Sequence, residues 1–493
     1  MNFKSTIAAA VAGLWLLSPA YGADTIKIAH VDPMSGPFAL IGESFGRHLD
    51  AAAAEINAKG GVLGGAHFEI VHFDNKSSPQ ESVLVVKQIT DSGIRYLTQG
   101  AGSNVAHALS EALVKHNRRN PDKSVLFMNF AAQDPALTNE KCNFWHFRFD
   151  ANVDMKLDAI TNYIAAHKDI KRVYLLNQDY AFGQAISKAA REMLAKKRPE
   201  IEIVGDDLHP LGKVKDFSPY IAKIKASDAQ AVITGNWGPD YTLLIKSSKD
   251  SGLGVTYYTL NAHNAGAPTS VGAAGADHVR QVFTWHANVA DNKIEKFALD
   301  FRKKNNGDFF YNTAKTELEM LAKAMNDAKS TDPLKVAQAL EGMKYQSDTG
   351  EVWMRPDDHQ LMQPIYLATF TKAGGKGVTP NCRRLARWKG RKGGLRRHVS
   401  RVRKIQNGHR RCPFSLTHRR ATQLHAAELA LCGLDALLPL ATRQGIALLQ
   451  RRHVFLLLLG GLRRGRHVAA FAGLIFRGAR FRRRRVIRRI GAV

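Results

Sequence analysis

The sequence predicts an α/β protein of two lobes, each a mostly parallel sheet flanked by helices. Three observations carry that expectation. Short β-rich runs alternate with amphipathic helical stretches from Asp24 onward. The alternation pauses over "NEKCNFWHFRFDANVDM" and then starts again. The segments that should follow the strands are rich in Gly, Ser, Asn and Pro, the residues of turns rather than of cores. A strand–helix alternation of this kind implies parallel strands covered by helices.

The first run opens on "TIKIAHV" (25–31), a strand. The helix after it places Phe45, Leu49, Ala52, Ala53 and Ile56 on one face and stops at glycines. "HFEIVHFD", "IRYLTQG" and "SVLFMNF" read as further strands, and "PQESVLVVKQITDSG" and "SNVAHALSEALVKH" as the helices between them. After the pause, "KRVYLLNQD" is a strand and "AFGQAISKAAREMLAKK" a helix, and the cycle repeats to about Asn261. Mainly helical stretches follow (291–304, 313–329, 333–343), then "GEVWMRPDDHQLMQPIYLATFTK" with the look of hairpin strands. The lobes are therefore expected over 23–147 with 285–345, and over 148–284 with 346–377.

The chain has 493 residues and a formal net charge of +28, but the charge is not spread evenly. Residues 378–493 hold 29 of the 71 Lys+Arg and 2 of the 43 Asp+Glu, leaving a nearly neutral body with 42 and 41. The first residues, "MNFKSTIAAAVAGLWLLSPAYGA", combine Lys4, an apolar run from Ile7 to Leu17, and small residues at Ala20 and Gly22. That is the pattern of a secretory leader cleaved near Gly22, and its apolar run is short for a membrane span. Export to the periplasm is the expectation. Cys142 is alone in the body, with Cys382, Cys412 and Cys432 in the tail. No pair has CxxC spacing, which argues against a zinc site and leaves Cys142 either a buried free thiol or one half of a disulfide.

Enzyme signatures are missing. The sequence holds no GxSxG, no HExxH and no GxxxxGK[ST], and "GAGSN" (100–104) falls short of a dinucleotide fingerprint. No catalytic residue, metal site or cofactor is expected, and His359 beside Asp357 and Asp358 reads as a solvated turn. Binding is better served. Open α/β sheets bind ligands at the carboxyl ends of their strands, and four segments belong there: "DPMSGPFALIG", "QGAGSNVA", "NQDYAFGQ" and "GNWGPD". Ser103 is placed to cap a helix whose free N–H groups would seat a carboxylate or phosphate. Tyr180, Phe182 and Trp237 would supply an aromatic wall opposite.

Residues 24 to about 377 resemble periplasmic solute-binding proteins of the branched-chain amino-acid type. The resemblance lies in "IKIAHVDPMSGPFALIGESFGRHLDAAAAEINAKGGVLGG", "NFAAQDPALTNEKCNFWHFRFD", "DYAFGQA", "VGDDLHPLGKVKDFSPYIAKIKASDAQAVITGNWGPD" and "MRPDDHQLMQPIYLATFTKAGGKG". It implies the two-lobed type I periplasmic-binding fold with a hinge, ligand capture between lobes, and delivery to the membrane permease of an ABC importer by a monomer. It also implies that Ser103 meets the ligand carboxylate, that the loop of Ala131 and Gln133 adds bonds to it, that Phe182 and Trp237 contact the ligand, and that Ile41 lines the side-chain pocket. Amino-acid binders place an acid for the α-ammonium near "TYYTLNAHNAGAPTSVG", where this chain has Asn261, Ala262 and His263. Asp179 or Asp240 could substitute. A carboxylate without an amino group, aromatic or aliphatic, or an amide, is therefore an alternative ligand.

After about Val378 the text changes character. The tail uses 26 Arg to 3 Lys against 11 to 31 before it, and contains none of the 12 Tyr or 10 Met. That bias is what an out-of-frame reading of GC-rich DNA gives, and a disordered or poorly structured segment is expected. The functional alternative, an exported sensor or anionic-surface binder using "FRRRRVIRRI" (481–490), lacks the aromatics that stack on bases, and no nucleic-acid partner is expected.

Overall fold

The computed structural model describes residues 24–285, 293–371 and 387–390. The leader over 1–22 and most of the arginine-rich tail lie outside the described residues.

The first sheet contains β1 (Thr25–Asp32), β2 (His67–Asp74), β3 (Tyr96–Gln99), β4 (Leu126–Asn129) and β5 (His146–Arg148), all parallel, in the order β2-β1-β3-β4-β5. Central strands of such a sheet are covered on both faces, and Ile28 to Asp32 of β1 are buried without alternation. The connections between the first strands are α1 (Ala39–Ala58), α2 (Pro79–Asp91) and α3 (Ser103–Arg119). The predicted face of α1 is confirmed: Phe45, Leu49, Ala52 and Ala53 are buried, with Ile56 packed against the same core.

The second sheet follows α4 (Val153–Ala166). It contains β6 (Arg172–Gln178), α5 (Ala181–Lys197), β7 (Glu202–His209), α6 (Ser218–Ala226), β8 (Ala231–Thr234), α7 (Gly238–Asp250), β9 (Thr256–Thr259), α8 (Ala267–Val271) and β10 (Val279–Phe283). The strands β6 to β10 pair in parallel. The chain then forms α9 (Ile294–Asn305), α10 (Asn312–Ala328) and α11 (Pro333–Leu340), a three-stranded antiparallel sheet of β11 (Lys344–Ser347), β12 (Gly350–Met354) and β13 (Leu361–Met362), and finally β14 (Tyr366–Thr371), antiparallel to β10.

Three details depart from the sequence-based expectation. Residues 359–360, in a stretch expected with the second lobe, stand beside β5 of the first sheet. Arg148 pairs with Gln360, and the Arg148 N–H donates to the His359 carbonyl at 2.9 Å. His359 is not a solvated turn: it is 2% exposed and stacked on Phe147 with ring centroids 3.9 Å apart. Within the arginine-rich tail, Arg387–Gly390 forms β15, paired antiparallel with β14, where no regular structure was expected. Cys142 is disulfide-bonded, and the other three cysteines lie outside the described residues. Among the described residues no helix is long and apolar enough to cross a membrane, and no cluster of His, Cys, Asp and Glu could hold a metal ion.

Candidate ligand cleft

One cleft gathers the carboxyl-end loops of both sheets. Its wall from the first sheet is Ile41 and Phe45 of α1, the Gly100–Ser103 turn, and Ala131–Gln133 after β4. From the second come Tyr180, Phe182, Trp237, Asn261 and Asn264, and Tyr311 completes it. Eight of the nine residues expected from the sequence therefore meet in one place.

The ninth does not. His263 lines a neighbouring cavity, its ring centroid 3.7 Å from that of Phe283 and its Nδ1 bonded to Gln281. Burial holds its imidazole well below the usual range, so it stays neutral. Asn264 takes the wall position instead.

Ser103 differs from expectation in detail. It is the first residue of α3, and Gly102, at φ +88°, occupies the cap position that the serine was expected to fill. Such a φ is in the region that favours glycine. The Ser103 Oγ accepts the Asp134 N–H at 3.2 Å, which leaves its own O–H free to donate. The first N–H groups of a helix have no intrahelical partner and carry its positive end. The turn thus offers donors to an anion with no cationic side chain beside it.

The opposite wall is aromatic. The Trp237 Nε1–H donates to the Tyr180 hydroxyl at 2.8 Å, so the Tyr180 proton is free to donate in turn. Burial pushes the Tyr180 phenol up, which keeps that proton in place. Phe38, just before α1, lies against Trp237 with centroids 4.3 Å apart and spans from one lobe to the other. It does so because Gly212 and Gly238 approach it: a Cβ on either would stand 2.9 Å from the ring. Phe38 carried no signal in the sequence beyond being apolar in a loop.

Among the described residues that line the cleft there is no Asp, Glu, Lys, Arg or His. The nearby carboxylates are engaged to different degrees. Asp240 Oδ2 accepts from Gln178 Nε2 at 2.7 Å and from the Gly212 N–H at 2.8 Å, while its Oδ1 is buried without a protein partner. Asp179 is exposed and accepts from Gln184. Asp134 takes His107 at 2.6 Å; burial would raise its carboxyl, but the bonds from His107 and the Ala136 N–H hold it below the usual range. Behind Tyr311, Asp150 is paired with Lys156 at 2.8 Å, both fully buried. Burial pulls the Asp150 carboxyl up and the Lys156 ammonium down, each opposed by the other's charge. What the cleft does present is neutral: Gln133 Oε1 and Asn264 Oδ1 are buried acceptors without a protein partner. Gln133 Nε2 reaches the Tyr311 hydroxyl at 3.4 Å. Asn261 is spent on structure, its Nδ2 donating to the Gly235 carbonyl at 2.9 Å.

Residues 25–376 match the family described as periplasmic binding protein. The chain belongs to that family. It is 30% identical over 383 residues to a Leu/Ile/Val-binding protein homolog 4 of Brucella abortus, which covers 76% of this chain and 91% of the relative. It superposes on the closed crystal structure of a leucine-, isoleucine-, valine-, threonine- and alanine-binding protein from Brucella ovis with a TM-score of 0.67 at 28% identity, covering 74% of this chain and 95% of the other. In fold alone it also resembles a Rhodopseudomonas palustris solute-binding protein of an ABC transporter in complex with 3,4-dihydroxybenzoic acid, at TM-score 0.65 and 19% identity, covering 74% and 97%. This periplasmic binding protein is thus of the branched-chain amino-acid type, the solute-binding component of an ABC importer.

Proposed function

We propose that the chain captures a small carboxylate between its lobes, in the periplasm and as a monomer, and hands it to the importer's permease. The observation that carries this reading is the pairing of the Gly102–Ser103 turn, which offers donors to an anion, with an uncharged wall of Tyr180, Phe182 and Trp237. Ser103 and the α3 N–H groups hold the carboxylate, Gln133 and the Ala131 segment flank it, and Ile41 with the aromatics encloses the apolar body. The closing bodies are 24–147 with 293–362, and 148–285 with 363–371. Export follows from the leader pattern, with cleavage near Gly22.

A branched-chain amino acid is the ligand that the relatives' names favour. A second reading rests on a specific observation: among the described residues, the polar side chains lining the wall are amides and hydroxyls, not carboxylates. An ammonium enclosed there would meet only amide and hydroxyl oxygens, and a buried charge without a counter-charge is costly. A carboxylate lacking the amino group fits the same cleft without that cost. Calorimetric titration with L-leucine, 4-methylpentanoate and 3,4-dihydroxybenzoate decides. Tight leucine binding supports the first reading, and binding of the two amine-free acids alone supports the second. Ser103→Ala should weaken whichever acid binds by roughly 10- to 100-fold, the worth of a hydrogen bond to a charged group. Failure of all three acids, or no effect of Ser103→Ala, would sink the carboxylate reading.

A further inference from the structure

A run of hydrogen bonds joins the solvent to the back of the Gly100–Ser103 turn. His30 and Asp32 are two residues apart on β1 and so share one face of the strand. His72 is the register partner of His30 on β2. Asp50 of α1 reaches His72 Nε2 at 3.2 Å, His72 Nδ1 meets His30 Nδ1 at 3.0 Å, and His30 Nε2 meets Asp32 Oδ2 at 2.8 Å. Asp32 then accepts the N–H of Gly100 at 2.9 Å and of Ala101 at 2.6 Å. Both of those residues line the cleft. The outer end is open, with the His72 and Asp50 side chains 37% and 51% exposed, while His30 and Asp32 are fully buried. Gly46 makes room: a Cβ there would stand 3.1 Å from the His72 ring.

Counting protons gives the run its meaning. A carboxylate only accepts, so the three links Asp50–His72, His72–His30 and His30–Asp32 need three N–H groups from the two rings. Two neutral imidazoles have two. All three links close only when the pair holds one extra proton, as a single shared imidazolium. With two extra protons, Nδ1–H would face Nδ1–H and the middle link would break. The other charged groups around the pair and Asp32 are Asp74, opposite Asp32 on β2, and Glu317 of α10, bonded to Thr98. Burial pushes the Glu317 carboxyl well up, against the bond from Thr98. Asp74 is held below the usual range, against the cost of burial, by Ser35 and by the N–H groups of Lys76 and Met34.

We propose that His30 and His72 are positioning residues whose shared proton, acting through Asp32, sets the carboxylate-binding turn, so that ligand affinity follows the protonation of the pair. With the proton in place, the charge of Asp32 is balanced behind the turn. As the proton leaves with rising pH, one link is lost and an unbalanced carboxylate stands behind the donors that receive the ligand's own carboxylate. Affinity is therefore highest where one proton is held, and falls on the alkaline side.

The proposal rests on reading that turn as the carboxylate seat, and the test separates the two. In the full-length chain, the amide resonances of Gly100 and Ala101 are followed by NMR across about pH 5 to 8, where imidazole titrates. They should shift in step with the ring nitrogens of His30 and His72. In His72→Gln, which keeps a polar group at a partly exposed position, that step should vanish while the rest of the amide spectrum stays. Amides of Gly100 and Ala101 that are flat with pH, or that titrate equally in the variant, overturn the coupling. Affinity for the acid that binds in the calorimetric panel should fall about tenfold from the acid to the alkaline end, equivalent to a shift of one pKa unit, and should be flat in His72→Gln. A pH-independent affinity with titrating amides overturns the effect on binding. Titrating amides in a chain that binds none of the acids would support the coupling and count against the carboxylate seat alone.

Discussion

At the scale of single residues, the cleft is a set of uncharged donors and acceptors, and one substitution should change what it accepts. Asn264 Oδ1 is a buried acceptor in the wall with no protein partner. Asn264→Asp puts a carboxylate of nearly the same shape where the cleft has none. The expected outcome is a gain in L-leucine affinity over 4-methylpentanoate of roughly tenfold or more, the scale of a charge-assisted hydrogen bond. Calorimetry on both ligands checks it, and an unchanged ratio would place the ammonium away from Asn264. Much of this cleft was legible before the structure. Ser103, Tyr180, Phe182 and Trp237 sit where strand-end loops must converge, and Ile41, Ala131, Gln133 and Asn261 followed from the resemblance. Asn264, Tyr311 and Phe38 were not foreseen, because each reaches the site through packing between segments remote in sequence. Asn264 and His263 are adjacent, and only the path of the loop decides which one faces the ligand.

At the scale of elements, the two sheets repeat one construction. The first helix of each rides on the end of the preceding strand through a glycine. A Cβ on Gly42 of α1 would stand 1.9 Å from the Pro33 carbonyl oxygen, and one on Gly183 of α5 would stand 1.9 Å from that of Gln178. The obstacle is backbone in both cases, so the helix itself would have to move. Gly42→Ala is expected to cost about 1–3 kcal/mol, as overpacking does, and to weaken ligand binding because Ile41 and Phe45 move with α1. Urea unfolding of the variant checks the first part, and a midpoint within error of the wild type would show that the helix yields freely. The sequence announced this repeat only as a pattern of strands and helices. It missed β5 and β10, which are short and lie in segments with little alternation. It also missed β15, whose four residues sit in an arginine-rich setting and pair with β14.

At the scale of the whole molecule, three neutral histidines make the fold sensitive to acid. His48 is fully buried and donates from Nε2 to the Asp308 carbonyl at 3.1 Å; burial pulls its imidazole down to about 3, partly opposed by that bond. Burial also holds His146 and His263 well below the ordinary value. In the unfolded chain each would take a proton near the ordinary imidazole pKa of about 6.5. Between that value and the folded-state value the unfolded chain binds more protons, so stability is lost as pH falls. Each pKa unit is worth about 1.4 kcal/mol per group. By about pH 4.5 His48 alone should then remove roughly 2–3 kcal/mol, before most carboxylates begin to titrate. Glu317, Asp150, Asp154 and Glu319, pushed up by burial, work in the opposite direction, and the three histidines are expected to outweigh them. Melting temperature should therefore fall steadily from pH 7 to 4.5. His48→Gln, which can still donate to Asp308, should be less stable at pH 7 yet show a shallower slope. A melting temperature that stays level or rises over that range, or a slope unchanged in His48→Gln, would mean that burial does not hold these rings neutral.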